Sequence, residues 1–434
     1  MRSRILTALA FLAAASAAAQ EPDWKTRLGA AIGNATISNP ELKAMEARIE
    51  ASKQRVAQST ALPDPELELG IKDLPVSSPS LTRDDFTMEM ISARQRFPGF
   101  GKLSAEKRVA EAELSGLVRE HDRHIIEIAA DVADSFFHLA ELDWRVAIID
   151  ETRQRLSDAV ISARERYRVG KGAQADVLRA DLEKTAIEDR LASLTAARRS
   201  EAARFNALQN STPATYVAPI DVEPGFERRV ALRTATAPDE LVEQAERESP
   251  AIAAASAEVL RAKERVEQAR LERRPDWMLS GYYARREKFE DLAGVSVSFN
   301  LPWVHPRRLE ERRAERQAEL ESARASLSSV RNALRRDIEQ AWAELAKSRD
   351  QVRLYEDSIL PQAKINYRAA REAYAVGAID FLTYVRAATD LDMYESEAAE
   401  RETGVGRALA MLQKASGLPL IEGTPAPEGD HEKK

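Results

Sequence analysis

The sequence predicts a mainly α-helical protein with a small β part, in which one plan of two strands followed by a long helical hairpin is used twice. Three observations lead there. Apolar residues alternate with polar ones up to Phe97-Pro98 and again up to Leu301-Pro302, and each stretch gives way at once to a charged helical run. The first of these runs keeps a seven-residue apolar rhythm from Leu114 to Ala163. Landmarks of the first half also recur in the same order in the second, about 204 to 212 residues later.

The landmarks are specific. Ser38-Asn39-Pro40 answers to Ser249-Pro250, and "LPDPELELG" from Leu62 to "RPDWMLSG" from Arg274. "RERYRVG", ending at Gly170, answers to "REAYAVG", ending at Gly377, and "ALQNSTP" at Ala207 to "KASGLP" at Lys414. Proline and glycine do not belong to helix composition, so a shared richness in Ala, Glu and Arg does not account for these matches.

Residues 1–19 read as a secretory signal peptide: Arg2 and Arg4, an apolar run from Ile5 to Ala15, and small residues Ala17 to Ala19 before the expected cleavage. No cysteine follows that could carry a lipid anchor, and the chain has Cys 0. An exported protein without disulfides gains its stability from packing or assembly. The formal net charge of −7 argues against nucleic acid as the main partner.

The first repeat is assigned to residues 20–208. A helix opens at Ser38-Asn39-Pro40 and ends near Ala61, before a proline. Strands are expected at about 64–75 and 85–97, from the alternation of Leu67, Leu69, Ile71, then Phe86, Met88, Met90. A helical hairpin then spans 103–208. In its first arm, Val118, Ile125, Val132, Leu139 and Val146 form one heptad row. Leu114, His121, Ile128, Ser135, Leu142, Ile149 and Leu156 form its companion. A 3.5-residue period implies left-handed coiled-coil packing, and the arm from Leu103 to Val169 would reach roughly 100 Å. Gly170 ends it with a left-handed cap. Residues 209–238 are Pro-rich and read as an irregular linker at the equator of the structure. The second repeat, 239–418, has a helix from Ser249 to about Arg273, strands at 277–285 and 293–302, and a hairpin over 306–416 that turns at Gly377. The tail from 419 to 434 is expected to be disordered.

The strand regions hold Phe86, Phe97, Phe100, Trp277, Tyr282, Tyr283, Phe289, Phe299 and Trp303. Aromatics at strand ends are what a membrane interface selects, and strands of this length can cross an outer membrane when tilted. Four strands cannot close a barrel, and an open edge cannot face lipid, so further strands must come from other copies. Three copies give twelve strands. The alternative is a soluble sheet capping a coiled coil.

No constellation for catalysis, cofactor or metal binding is present. His121 falls in a heptad core row, and His138 follows Asp134 by four residues, an ordinary helix pairing. "GFGK" lacks the remainder of a phosphate loop. The carboxylates read as solvated faces, so an enzyme is not expected.

The duplicated order, "LPDPELELG", "QRFPGFGK" and the paired tips "YRVG" and "YAVG" together resemble the TolC family of outer-membrane factors, with "LPDP" and "FPGFGK" similar to its heavy-metal efflux branch. The resemblance covers nearly the whole chain after the signal. It implies a homotrimeric, twelve-stranded barrel in outer-membrane lipid, continued by a helical tunnel across the periplasm. A periplasmic adaptor and an inner-membrane pump of the proton-driven resistance-nodulation-division type would be partners, and the channel would conduct passively. Pro98, Gly99 and Pro302 would mark the joints where the chain leaves barrel for tunnel. Tyr167, Val169, Gly170, Tyr374, Val376 and Gly377 would form the adaptor-docking tips. Relatives carry two carboxylates at the closed tunnel end, six and nine residues after the second tip glycine. Here those positions are Thr383 and Arg386, with Asp176 and Arg179 as first-repeat equivalents, so a mixed-charge gate closed by Arg–Asp pairs is expected, with Asp380 or Asp181 as further candidates. A periplasmic adaptor would need one hairpin and a Gly-rich β-domain, and a secreted coiled-coil scaffold would not need aromatic-ended strands.

Overall fold

The computed structural model describes residues 23–77, 79–222 and 237–426. The signal peptide and the end of the tail lie outside them, as do residues 223–236 of the linker. Thirteen regular elements follow one another. The first repeat has helices α1 (Trp24–Ser38) and α2 (Pro40–Gln58), strands β1 (Glu66–Lys72) and β2 (Met88–Phe97), then α3 (Lys102–Arg168) and α4 (Gln174–Leu208). The second has α5 (Pro238–Glu248), α6 (Pro250–Leu271), β3 (Trp277–Arg285), β4 (Leu292–Phe299), α7 (Pro306–Leu354), α8 (Leu360–Val376) and α9 (Phe381–Ser416).

Helices α1 and α5 go beyond the sequence expectation, in which each repeat starts with a single helix. Asn39 explains the first break. Its N–H closes α1 on the Ala35 carbonyl, while its side chain accepts from the Glu41 N–H and opens α2 at Pro40. Ser249 closes α5 on Ala245 in the same way, ahead of Pro250.

The 67-residue α3 is the axis of the chain. It packs on α2 and α6 near the sheet, on α1 midway, and on α4 and α9 beyond. The companion heptad row is its seam: Ile128, Ser135, Leu142, Ile149, Leu156 and Ala163 are all buried. Midway, Phe136 and Phe137 are also buried, against Trp24, Phe205 and Ile220, so the helix is enclosed on more than one face there. Each such ring contributes about 1.5–3 kcal/mol by leaving water. Ile421 packs into the same cluster and its N–H donates to Gln413, so the expected disordered tail begins later than residue 419.

The second long arm is helical without a break to Val376, as expected, but its hydrogen-bond ladder changes part-way. Between α7 and α8, residues Tyr355–Ile359 form a widened π turn. Pro361 supplies the reason, since it lacks an N–H and its ring would strike the carbonyl four residues back. Tyr355 ties the turn to α9 by donating to the Glu397 carboxylate, and this bond pushes its hydroxyl up to about 12.

All four strands pair antiparallel in the order β1-β2-β3-β4, and the β2–β3 pairing joins the two repeats. The register places Leu67, Leu69, Ile71, Ile91, Leu279, Tyr283, Val295 and Val297 on one face, with Phe97, Trp277 and Phe299 in a row at its foot. The opposite face is mixed: Glu68, Ser92, Arg94, Ser280 and Ser296 share it with Met88, Met90, Met278 and Tyr282. The apolar face has nothing over it among the described residues: Leu69 is 70% exposed and Val295 78%.

One carboxylate holds the joint between sheet and helices. Asp276 accepts from the Gly99 N–H at 2.8 Å and from Lys102 Nζ at 2.6 Å, just past Pro98. Its own backbone N–H donates to Asn300, which leads to Pro302 and a single 3-10 turn before α7. Burial alone would raise the Asp276 carboxyl, but the Lys102 ammonium and the Gly99 amide outweigh it and hold the group below its usual range. A depressed folded value means that this clamp contributes stability above the ordinary carboxylate range and loses it as pH falls through the folded value. Asp276→Asn is therefore expected to lower the thermal midpoint at neutral pH, by a gap that closes on acidification. A gap that stays constant from about pH 7 to about pH 3 would show that the charge plays no part.

Candidate docking tips and tunnel gate

The two hairpin turns are built alike. After α3 the Lys171 N–H donates to the Arg166 carbonyl at 2.8 Å, and after α8 the Ala378 N–H donates to Ala373 at 2.8 Å. With Gly170 at φ +72° and Gly377 at φ +82°, both are Schellman ends, which glycine adopts without the clash an L side chain meets. Tyr167 and Val169 are exposed beside the first turn, and Val376 is 83% exposed beside the second.

Tyr374 departs from the expected docking set. It is only 5% exposed, because its ring stacks on Tyr384 at 5.2 Å and meets Phe381 edge-on at 5.6 Å. The Arg166 guanidinium lies over the same ring at 4.8 Å, and its Nη1 donates to the Tyr374 carbonyl at 2.6 Å. A Cβ on Gly377 would sit 3.2 Å from Arg166 Nη2, whereas one on Gly170 would meet nothing. An arginine of the first repeat thus grips the tip of the second. Sequence reasoning missed it, since Arg166 and Tyr374 are 208 positions apart and nothing in "RERYRVG" marks one arginine among three.

The expected gate residues lie together after the turns, but their charges are committed differently. Asp176, in the first turn of α4, accepts from the Ala173 N–H at 3.3 Å. Asp380 caps α9 and accepts from the Thr383 N–H at 2.8 Å. Bonds from the Thr383 side chain and amide hold the Asp380 carboxyl below its usual range. Asp181 is paired with Arg164 at 3.0 Å. Arg179 and Arg386 are exposed; neither makes a direct ion pair among the described residues, but the Arg386 charge helps to hold the Asp380 carboxyl down. Within one copy Asp380 feels the Arg386 charge without a direct ion pair, and Asp181 is taken by Arg164. Unsatisfied amides at the helix N-termini claim two of the acids first.

Above the gate, Asp392 is fully buried, accepting from Thr152 at 3.0 Å and pairing with Arg190 at 2.8 Å, which ties α3, α4 and α9. Arg155 pairs with Glu395 at 2.9 Å and lies over the Tyr367 ring. An acid inside the apolar rhythm of α9 was the available signal for this core. His138 also differs from expectation: it meets Glu201 at 3.2 Å, while Asp134 is engaged by Arg407 and Arg204. Among the described residues, no group of three or more His, Asp or Glu is placed to hold a metal ion. No described helix is long and apolar enough to cross a membrane.

With this geometry in place, comparison with known proteins is decisive. The family model for outer membrane efflux proteins matches residues 31–212 and again residues 241–418. The chain belongs to the outer membrane efflux protein family. The match in two segments is the duplication read from the sequence, and membership places the chain among transport channels rather than enzymes. In sequence it is 25% identical over 357 residues to the cobalt-zinc-cadmium resistance protein CzcC of Cupriavidus metallidurans, covering 82% of this chain and 81% of that protein. Its fold is similar to that of the outer-membrane channel OprN, with a TM-score of 0.76 at 17% identity, covering 92% of this chain and 91% of that one. It is similar also to VceC of Vibrio cholerae, with a TM-score of 0.74 at 18% identity over 90% and 96% of the chains. For CusC the TM-score is 0.71 at 14% identity, over 92% and 95%.

The Arg166 grip gives the two tip glycines different roles. Alanine at either position bears the left-handed strain of about 1–2 kcal/mol, but only at 377 must it also displace Arg166. Gly377→Ala should therefore lower the unfolding midpoint more than Gly170→Ala, and the excess should vanish in an Arg166→Ala background. An excess that persists there would show that Arg166 does not rest on Gly377.

Proposed function

We propose that three copies of this chain form the outer-membrane channel of a tripartite efflux system, each supplying four strands to a twelve-stranded barrel. The observation that carries this reading is the sheet, whose apolar face is open and whose two edge strands are unpaired. A sheet apolar outside and polar inside is what a lipid-embedded barrel with an aqueous lumen requires. The chain would reach the periplasm by its signal peptide, be cut after Ala19, and insert without a lipid anchor.

The helices would continue the barrel as a tunnel across the periplasm. Tyr167, Val169, Gly170, Val376 and Gly377 offer an exposed surface at its far end for a periplasmic adaptor, which links the channel to an inner-membrane pump of the resistance-nodulation-division type. Conduction is passive, with energy supplied by that pump. The relation to CzcC favours divalent metal cations as cargo. Arg179 and Arg386, without direct ion pairs among the described residues, would ring the narrow end together with carboxylates of neighbouring copies and disfavour cations until an adaptor spreads the tips.

The test uses a strain deleted for the gene, scored for growth in cobalt, zinc and cadmium. The parent protein should restore resistance and leave the membrane as a complex of three chains by native mass measurement. Gly377→Trp should fail to restore resistance while its trimer level is unchanged. A stable membrane-inserted monomer, or full resistance with Gly377→Trp, would contradict the proposal.

A further inference from the structure

Asp276 and Asp64 occupy the same place in the two repeats, each directly after a proline and just ahead of the first strand of its repeat. Asp276 is clamped: it receives the Gly99 N–H and the Lys102 ammonium from the joint below β2, the strand paired with β3. Asp64 is exposed and has no partner among the described residues. Among the described residues no strand stands beside β1 as β2 stands beside β3, so β1 is an edge.

The other edge is β4, and the joint below it carries groups that match the clamp. Trp303 follows Pro302 as Gly99 follows Pro98, and its N–H has no acceptor among the described residues. Past the joint stand Arg307 and Arg308, both exposed and neither paired with a carboxylate among the described residues. One copy therefore holds an acid lacking a donor at one edge, and an amide and two cations lacking an acceptor at the other.

We propose that Asp64 of one copy completes the clamp at the foot of β4 of the next, accepting from the Trp303 N–H and pairing with Arg307 or Arg308. This rests on the reading of three copies sharing one barrel, and it specifies how they meet. The three Asp276 clamps act within chains and the three Asp64 clamps act between them, so the ring of joints below the barrel is closed by six equivalent carboxylates. An ionised acceptor bonded to a backbone amide and a guanidinium is stronger than a neutral pair and fixes the register of the β4–β1 contact.

The chain contains Cys 0, so introduced thiols report alone. The full-length protein carrying Asp64→Cys and Trp303→Cys is inserted in outer membranes, oxidised, and run on a denaturing gel. The expected result is covalent trimer as the main product, with neither single substitution giving any. Asp64→Asn alone should lower the temperature at which detergent-extracted trimers dissociate, while Lys72→Gln, at the other end of β1, should not. Trimers that extract intact but show no thiol cross-link and the parent dissociation temperature with Asp64→Asn would overturn the clamp and leave the barrel standing. Recovery of monomer alone from the parent protein would instead overturn the shared barrel.

Discussion

The outer edges of β1 and β4 leave backbone amides and carbonyls without strand partners among the described residues, beside a sheet face that is mostly hydrocarbon, with Gln95 and the Glu89–Arg285 pair as its polar members. Water can satisfy the edges but not the face, and lipid can satisfy the face but not the edges, where each unpaired group costs several kcal/mol. Only closure of the sheet on itself meets both demands, and four strands of 7 to 10 residues are too few to close alone. The remainder of the molecule is arranged around that shortage. The aromatic row of Phe97, Trp277 and Phe299 sets the level of the sheet's foot, with Phe97 and Trp277 stacked at 4.1 Å.

Below that level the chain must convert a twisted sheet into a helical bundle without a flexible linker. Asp276 does this by bonding both to the first joint, at Gly99 and Lys102, and to Asn300 ahead of the second. From there α3 runs unbroken to the tip, while the second arm yields at Tyr355–Ile359. Near the tip Arg166 binds α3 to α8, while Arg155 and the buried Asp392 bind the first hairpin to α9, so the two hairpins of a copy are coupled there by side chains of both repeats.

Much of this could be read in the sequence, for a reason visible in particular residues. The heptad rows of α3, the glycine stops at 170 and 377, and the alternation through Leu67, Leu69 and Ile71 are local periodicities, and each settled into the element it implied. The second arm is helical to Val376 as its pattern implies, but the π turn within it was not legible, Pro361 being its only mark. Helices α1 and α5 were passed over because Pro40 and Pro250, sound starts, hid the helices they end. At the tips, Tyr167, Val169 and Val376, named from the family resemblance, are exposed beside the turns. The burial of Tyr374 and the capture of Asp176 and Asp380 by helix ends were not legible, since they depend on neighbours distant in sequence or on competition among nearby acceptors.

The central claim is that alternate residues of one strand face lipid and lumen. It is tested most directly by placing single cysteines at 293 to 299 of β4 in the membrane-inserted protein and labelling with a membrane-impermeant maleimide. The account predicts reaction at Gly294, Ser296 and Ser298 and protection at Ala293, Val295, Val297 and Phe299, with the protected set instead quenched by lipid-borne spin labels. Equal aqueous labelling along the strand would contradict it.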